Sequence, residues 1–380
     1  MSRFLFVAPP LVGHVNPLTG VARELVARGH QVAWAGHGEL LGALVREPVF
    51  PCAVPEDAPV ERPAGLTGPS AFQFLWRDFF VPLADAMAPG VAAAVDAFEP
   101  DVVVSDQHAV AGALVAERRG VPCVGSASTS AELVDPLASM PKVAAWVDAL
   151  LAALRERHGN PLARNDPRYP EHGVLAFTTA ALAGPVDRPG LHLVGPALGE
   201  PRPGVEFPWA ELDGRPVVLV SLGTANTGVG GRFLRAAAEA FADRPGVRAV
   251  VVDPGGELGP VPDNVLVRHR VPQLELLPRC AAVVCHSGHN TVCEALWHGV
   301  PLVLAPIRDD QPLVAAQVVD AGAGLRLRFA RAGAEAIGKA VDAVLDPAGG
   351  HRDAARAIGD SFRAAGGAGA AADHLIAVAR

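Results

Sequence analysis

Short apolar runs alternate along this chain with longer stretches in which apolar residues recur every three or four positions. Phe4–Ala8 (FLFVA) is uninterrupted, as expected of a strand buried on both faces. Beyond a polar turn, Leu18, Val21, Ala22, Leu25 and Val26 recur at helical spacing until Gly29 stops them, and Gln31–Ala35 reads as a second strand. The alternation continues with a strand at Asp101–Ser105, a helix at Ala109–Arg119 and a strand at Val121–Gly125. Near Gly195–Pro216 it lapses into proline and glycine, which predicts a linker. It restarts with strands at Val217–Val220, Arg248–Val252, Val265–Val267, Ala281–Cys285, Pro301–Ala305 and Leu325–Phe329. Helical stretches at Arg232–Ala242, Leu274–Leu277, Asn290–Trp297 and Leu313–Ala321 lie between them. Strand–helix alternation of this kind predicts parallel, doubly wound sheets. The expectation is therefore an α/β protein of two Rossmann-like domains, 1–200 and 217–355. A linker at 201–216 joins them, and a helical tail at 356–380 packs back on the first.

Composition narrows the picture. Half the residues are hydrophobic and 19% are charged, enough apolar material for two large cores. The formal net charge of −8, with no lysine/arginine block, argues against a nucleic-acid surface. The opening MSRFLFVAPP starts like a secretion signal, but its apolar run is short, closes on Pro9-Pro10 and lacks a small-residue cleavage site, so it reads as the first strand. No apolar segment reaches the roughly 18–20 residues needed to cross a bilayer. The expectation is a cytoplasmic protein without stable membrane insertion. Five cysteines do not suggest a disulfide framework. Cys285, His286, His289 and Cys293 have zinc-like spacing, yet Cys285 ends a buried-type strand and Cys293 lies in an Ala/Leu helix, so both read as buried free thiols.

In open α/β sheets, ligands bind beyond the carboxyl ends of the strands. The polar residues just past each predicted strand are Gly13, His14 and Asn16, then Asp106, Gln107 and His108 in the first half. In the second half they are Ser221, Gly223 and Thr224, then His286 to Thr291, then Asp309, Asp310 and Gln311. The stretch VVCHSGHNTVCEALWHGVPLVLAPIRDDQ, residues 283–311, is suited to an anion. Gly288 permits close backbone approach, and a helix opening near Asn290 offers unpaired N–H groups and the positive end of its dipole. Thr291 adds a hydroxyl and His286 a ring N–H, while Ser221 and Thr224 suit the other side of a diphosphate. Glu294, one turn inside the helix, suits ribose hydroxyls, and Asp310 with Gln311 suits a sugar ring. Taken singly, each of these residues is better explained as a helix cap or solvated loop; their joint placement carries the reading.

The motif His286-x-Gly288-x-Asn290-Thr291-x-x-Glu294, followed by Pro301, Pro306 and Asp310-Gln311, resembles the donor signature of GT-B glycosyltransferases. The likeness is to the branch of plant secondary-product enzymes and bacterial antibiotic-decorating enzymes. Gly13-His14-x-x-Pro17 resembles that branch's amino-terminal motif, and Val271-Pro272-Gln273 its base-binding segment. The resemblance implies two Rossmann-like domains facing a cleft and an inverting transfer from a TDP- or UDP-sugar to a hydroxyl of a small hydrophobic natural product. It implies that Val271 and Gln273 flank the base and Glu294 holds the ribose. His286, Gly288, Asn290, Thr291, Ser221 and Thr224 would hold the diphosphate, and Asp310 and Gln311 the sugar. His14, with Gly13 beside it, would deprotonate the acceptor, steadied by Asp106. Val271 and His289 stand where plant members usually carry tryptophan, which leaves the base preference open. The dyad also has an independent rationale. A positioned base typically contributes about 10²–10⁴-fold for a neutral alcohol, an imidazole is largely neutral at pH 7, and a buried carboxylate fixes its tautomer.

No permanently bound cofactor and no essential metal are expected, because helix dipole and hydrogen-bond donors can neutralise the leaving diphosphate. A homodimer is left open. The cluster Phe72, Phe74, Trp76, Phe79 and Phe80 reads as an acceptor wall, or equally Phe72, Trp76, Phe79 and Leu83 form the buried stripe of one helix. Val143, Trp146, Val147, Leu150 and Leu154, within the stretch 133–154, are helix-periodic and read mainly as core. Competing readings are a C-glycosyltransferase, a lipid or carotenoid glycosyltransferase, a nucleotide-sugar epimerase and a catalytically silent nucleotide-sugar-binding partner. A nicotinamide-dependent oxidoreductase is disfavoured, since PPLVGHVNPLTG lacks Gly-x-Gly-x-x-Gly.

Overall fold

The computed structural model describes residues 1–55, 66, 68–133, 140–199, 204–223 and 229–380. The chain divides into two compact units. The first comprises Met1–Thr178, Pro185–Gly199 and Ala365–Arg380, the second Thr179–Gly184 and Glu200–Ala364.

The first unit holds strands β1 (Arg3–Val7), β2 (Gln31–Gly36), β3 (Val49–Pro51), β4 (Val102–Asp106), β5 (Cys123–Ala127), β6 (Val174–Ala176) and β7 (Leu191–Leu193). They form a parallel sheet in the order β3-β2-β1-β4-β5-β6-β7. Because successive side chains on a strand point to opposite faces, β1 feeds two cores. Leu5 and Val7 pack with Trp76, Leu83 and Met87 on one face. Phe4 and Phe6 pack with Leu18, Leu25 and Leu375 on the other. Burial on both faces is what a parallel sheet covered by helices demands, and it explains the uninterrupted apolar runs.

The helix Val12–Ala27 begins directly after β1, where the sequence predicted a polar turn. The final helix, Gly367–Val378, buries Ala371, Ala372 and Leu375 in the first unit's core. Arg28 on the Val12–Ala27 helix pairs with Asp373 at 2.5 Å. The preceding helix, His351–Ala365, packs Ala355, Ile358 and Phe362 into the second unit instead. The return to the first unit thus falls at Ala365 and not at 356.

Ser70–Phe98 is one continuous helical run of 29 residues, long and apolar enough by composition to cross a membrane, which corrects the sequence expectation that no such segment exists. Half of its most apolar window is buried inside the protein. Residues Leu75–Phe80 of the run form a π-helical turn. Its i→i+5 spacing adds one residue to the turn and brings Phe79 and Phe80 inward together with Trp76. Core burial therefore accounts for these three aromatics. In the helix Pro141–His158, Val147, Leu151 and Leu154 are core, while Val143, Trp146 and Leu150 are partly buried against it; residues 134–139 lie outside the described residues.

The second unit repeats the architecture with β8 (Val217–Ser221), β9 (Arg248–Val252), β10 (Val265–Arg268), β11 (Cys280–Cys285), β12 (Leu302–Leu304) and β13 (Gly324–Arg326), ordered β10-β9-β8-β11-β12-β13, all parallel. Val218 and Val220 face a core with Phe233, Phe241 and Val341. Val217 and Leu219 face one with Leu296, Val318 and Phe362. The proline-rich run expected as a linker is partly structured. Phe207 and Leu212 are buried in the second unit's core and Arg279 lies 4.6 Å over the Trp209 ring, because three large apolar side chains in a short segment have somewhere to go.

Candidate active site

In both sheets the strand order reverses direction at one place, between β1 and β4 in the first and between β8 and β11 in the second. Such switch points are where the loops at the carboxyl edge splay apart and leave a crevice. His14 and Asp106 lie at the first of these places and Ser221 and His286–Thr291 at the second, while Val271 and Gln273 follow β10 and Asp310 and Gln311 follow β12.

In the first unit, His14 lies in the opening turn of the Val12–Ala27 helix, next to Gly13. Its Nδ1 is 3.0 Å from Oδ1 of Asp106, the last residue of β4. Asp106 is 1% exposed. Its Oδ1 also accepts the His108 backbone N–H at 2.9 Å, and its Oδ2 accepts the Ser128 hydroxyl. Burial by itself pushes this carboxyl up. The charge and hydrogen bond of His14, the charge of His108 and the Ser128 hydroxyl outweigh burial and hold it below the usual carboxylate range. An ionised carboxylate only accepts hydrogen bonds. Neutral His14 therefore carries its proton on Nδ1 and presents Nε2 as a base. The His108 ring lies 4.8 Å from the His14 ring and stacks on Phe80 at 4.4 Å. His14, Asp106 and His108 bring ligand-type atoms within 4.8 Å of one another, and both Asp106 oxygens accept protein donors.

Ser128 was not among the residues singled out from the sequence. No polar residue past the Val121–Gly125 strand is singled out from the sequence; β5 runs to Ala127, and Ser128 follows it directly. The serine-rich run SASTS after an apolar strand was the available signal.

In the second unit, β8 and β11 are paired so that Ser221 lies opposite Cys285, and His286 follows at once. The His286 ring sits between two glycines. A Cβ on Gly223 would come 2.7 Å from its Cε1, and one on Gly288 2.5 Å from its Nε2, so neither position has room for a side chain. Two non-glycine residues in these strand-end loops, Ser287 (φ 70°) and Asp309 (φ 56°), adopt left-handed backbone, an arrangement that costs of order 1–3 kcal/mol and concentrates at functional sites. The Ser221 hydroxyl accepts the Gly223 N–H at 3.4 Å. Thr224 lies outside the described residues.

Burial lowers the His286 pKa to about 4; the nearby Asp310 charge and Ser221 backbone oppose this, and Arg308 reinforces it. Its Nδ1 is buried with no hydrogen-bond partner among the described residues. The ring is thus a neutral donor at physiological pH. It also makes the fold acid-sensitive. Between about pH 6.5 and pH 4 the unfolded chain binds a proton that the native state refuses, so stability falls as pH drops through that window. The displacement corresponds to roughly 3 kcal/mol. Urea unfolding at pH 7 and pH 4.5 is expected to show this loss in the wild type and a smaller one in His286→Gln. Equal losses in both proteins would refute it.

Gly288 is the N-cap of the helix His289–Trp297, and no side chain caps it, so Asn290 and Thr291 stand in a first turn whose N–H groups have no intrahelical acceptor. Gln273 donates to Glu294 Oε2 at 2.6 Å and lies 3.5 Å from Thr291 Oγ1. Three predicted donor residues are thereby joined in one network. Val271, partly buried, packs against the adjoining core. Gln311 Oε1 accepts the backbone N–H groups of Ile307 and Arg308 at 2.8 and 3.0 Å, which closes the turn after β12 and leaves its amide nitrogen as the end suited to a sugar. Asp310 stands at the N-cap position of the following helix, Gln311–Asp320, in helical backbone conformation. His289 turns inward, its Nε2 3.4 Å from Cys293 Sγ. Burial pushes the Cys285 thiol up to about 12 and raises that of Cys293 as well. Both cysteines are buried and free, and among the described residues Cys285, His286, His289 and Cys293 do not converge as one ligand set.

Comparison with known proteins follows the geometry. The family described as erythromycin biosynthesis protein CIII-like, C-terminal domain, matches residues 246–377. Demethyllactenocin mycarosyltransferase of Streptomyces fradiae is 32% identical, over 99% of this chain and 86% of its own length. The 4'-demethylrebeccamycin synthase of Lentzea aerocolonigenes is also 32% identical, over 91% and 92% respectively. Among solved structures, the glycotransferase of kitacinnamycin is similar with a TM-score of 0.79 at 29% identity, covering 99% of this chain and 98% of that one. Two doubly wound sheets with polar switch points, matched end to end by these relatives, place the chain in the family of GT-B glycosyltransferases that act in antibiotic biosynthesis.

Proposed function

We propose that this glycosyltransferase moves a sugar from thymidine or uridine diphosphate to a hydroxyl of an apolar, antibiotic-type aglycone, with inversion at the anomeric carbon. The observation that carries the reading is the His14–Asp106 pair at 3.0 Å, on a carboxylate that is ionised despite complete burial. His14 Nε2 takes the acceptor's proton as that oxygen bonds to the anomeric carbon. The bond from that carbon to the phosphate oxygen breaks, and the nucleoside diphosphate leaves with the electron pair. Asp106 stabilises the imidazolium. The names of the relatives, demethyllactenocin mycarosyltransferase and 4'-demethylrebeccamycin synthase, support an antibiotic-type acceptor.

The second unit supplies the donor site. His286 donates one neutral N–H to the diphosphate, and the first turn of the His289–Trp297 helix donates backbone N–H groups with Gly288 allowing approach. Ser221, Asn290, Thr291 and Thr224 add polar groups. Gln273 holds Glu294 toward the ribose, Val271 flanks the base, and Asp310 and Gln311 meet the sugar. These fixed donors do a metal's electrostatic work, so transfer is expected to persist in EDTA. The test is incubation with TDP- and UDP-sugars against a panel of polycyclic and macrocyclic alcohols. Mass spectrometry reads transfer, and proton coupling at the anomeric centre reads configuration. A β-linked product from an α-configured donor supports the reading. A retained configuration, or sugar conversion without any acceptor, overturns it.

A further inference from the structure

We infer that Ser128 is a positioning residue for the His14–Asp106 pair, its hydroxyl holding the carboxylate in the one rotation that keeps Oδ1 on His14 Nδ1. This inference rests on the base assignment proposed above.

Asp106 and Ser126 are opposed in the β4–β5 register, so Ser128 stands two residues farther along, beside the carboxylate at the sheet edge. Both side chains are buried. The donors are divided unevenly between the two oxygens. Oδ1 accepts from His14 and from the His108 backbone, while among the described residues Ser128 is the partner of Oδ2. A buried carboxylate oxygen that loses its donor remains charged and unsolvated. The group then rotates in search of another donor, and rotation draws Oδ1 away from His14. The local turn does not need the Ser128 hydroxyl, because Thr129 closes it by accepting the Ala131 N–H at 3.3 Å. Ser128 is thereby available to Asp106. On its other side His14 faces the His108 ring, which Phe80 braces through the π-helical turn, so among the described residues Asp106 and His108 are the titratable groups that face the base.

The experiment compares wild type with Ser128→Ala, Asp106→Ala and the double variant, measuring kcat, donor KM, melting temperature and the pH dependence of kcat/KM. Ser128→Ala is expected to lower kcat roughly tenfold, the scale of one hydrogen bond to a charged group, with donor KM unchanged. The acid limb of the profile is expected to move to lower pH, because rotation takes Oδ1 off Nδ1 and the imidazolium loses part of its stabilisation by the carboxylate. In the Asp106→Ala background the same change is expected to cost nothing further. An unaltered kcat and acid limb in Ser128→Ala, or an equal additional loss in the double variant, would overturn the inference. If His14→Ala itself kept full turnover, the base assignment would fall instead, so the two failures are distinguishable.

Discussion

Replacing His14 by alanine is expected to lower transfer by about 10²–10⁴-fold, the range a positioned general base contributes, while donor binding stays intact. The expectation follows from the tautomer. Asp106 is ionised and can only accept, which puts the proton on Nδ1 and the basic lone pair on Nε2. Alanine removes that lone pair without touching the second unit, where the nucleotide is expected to bind. Two measurements separate the effects. Single-turnover rates with saturating acceptor report the chemistry, and the thermal stabilisation by TDP or UDP reports the donor site through mass action. A slow variant whose melting temperature still rises normally with nucleotide is the expected outcome. Turnover near that of the wild type would remove His14 from the mechanism. Loss of nucleotide stabilisation would show that the substitution had disturbed more than the base.

Glu294→Ala is expected to do the opposite. It should weaken donor binding by about 10- to 150-fold, as lost hydrogen bonds to a charged acceptor worth about 1.5–3 kcal/mol imply, and leave kcat at saturating donor little changed. Gln273 holds the carboxylate at 2.6 Å, so its direction is set before any donor arrives, and pre-organisation of this kind spares the ordering cost on binding. Donors with both ribose hydroxyls should suffer more than 2'-deoxy donors, which offer fewer bonds to lose. Titration of the variant with UDP and TDP, followed by calorimetry, checks both points. Unchanged affinity for either nucleotide would show that Glu294 serves the helix and not the donor.

Much of the architecture was legible in the amino acids because its signals are local. Arg248–Val252 is the same strand in sequence and structure, and β1, β8 and β11 differ from expectation by one or two residues at an end. Three-residue strands such as β3, β6 and β7 were missed, since so few residues display no period and their pairing depends on neighbours elsewhere in the chain. The π-helical turn at Leu75–Phe80 was also invisible. Helical spacing placed Phe79 on the buried stripe, and only the widened turn turns Phe80 inward as well, onto His108. Ser128 carries no signal of its own in the sequence, being one of three serines in a short run, and only the pairing of β4 with β5 shows which of them meets Asp106.

Composition and pattern were sufficient to establish two doubly wound halves, their likeness to GT-B enzymes and the roster of polar residues at strand ends, because each of those depends on neighbours a few positions apart. The partnerships within the roster required the folded chain. His14 and Asp106 are separated by 92 residues, and they meet because the sheet runs β2-β1-β4, placing two strand ends side by side that the chain order keeps apart. The neutrality of His286 is likewise a property of what surrounds it, two glycines and a buried crevice. Strand order and burial are consequences of packing the whole core, and no short stretch of sequence encodes them.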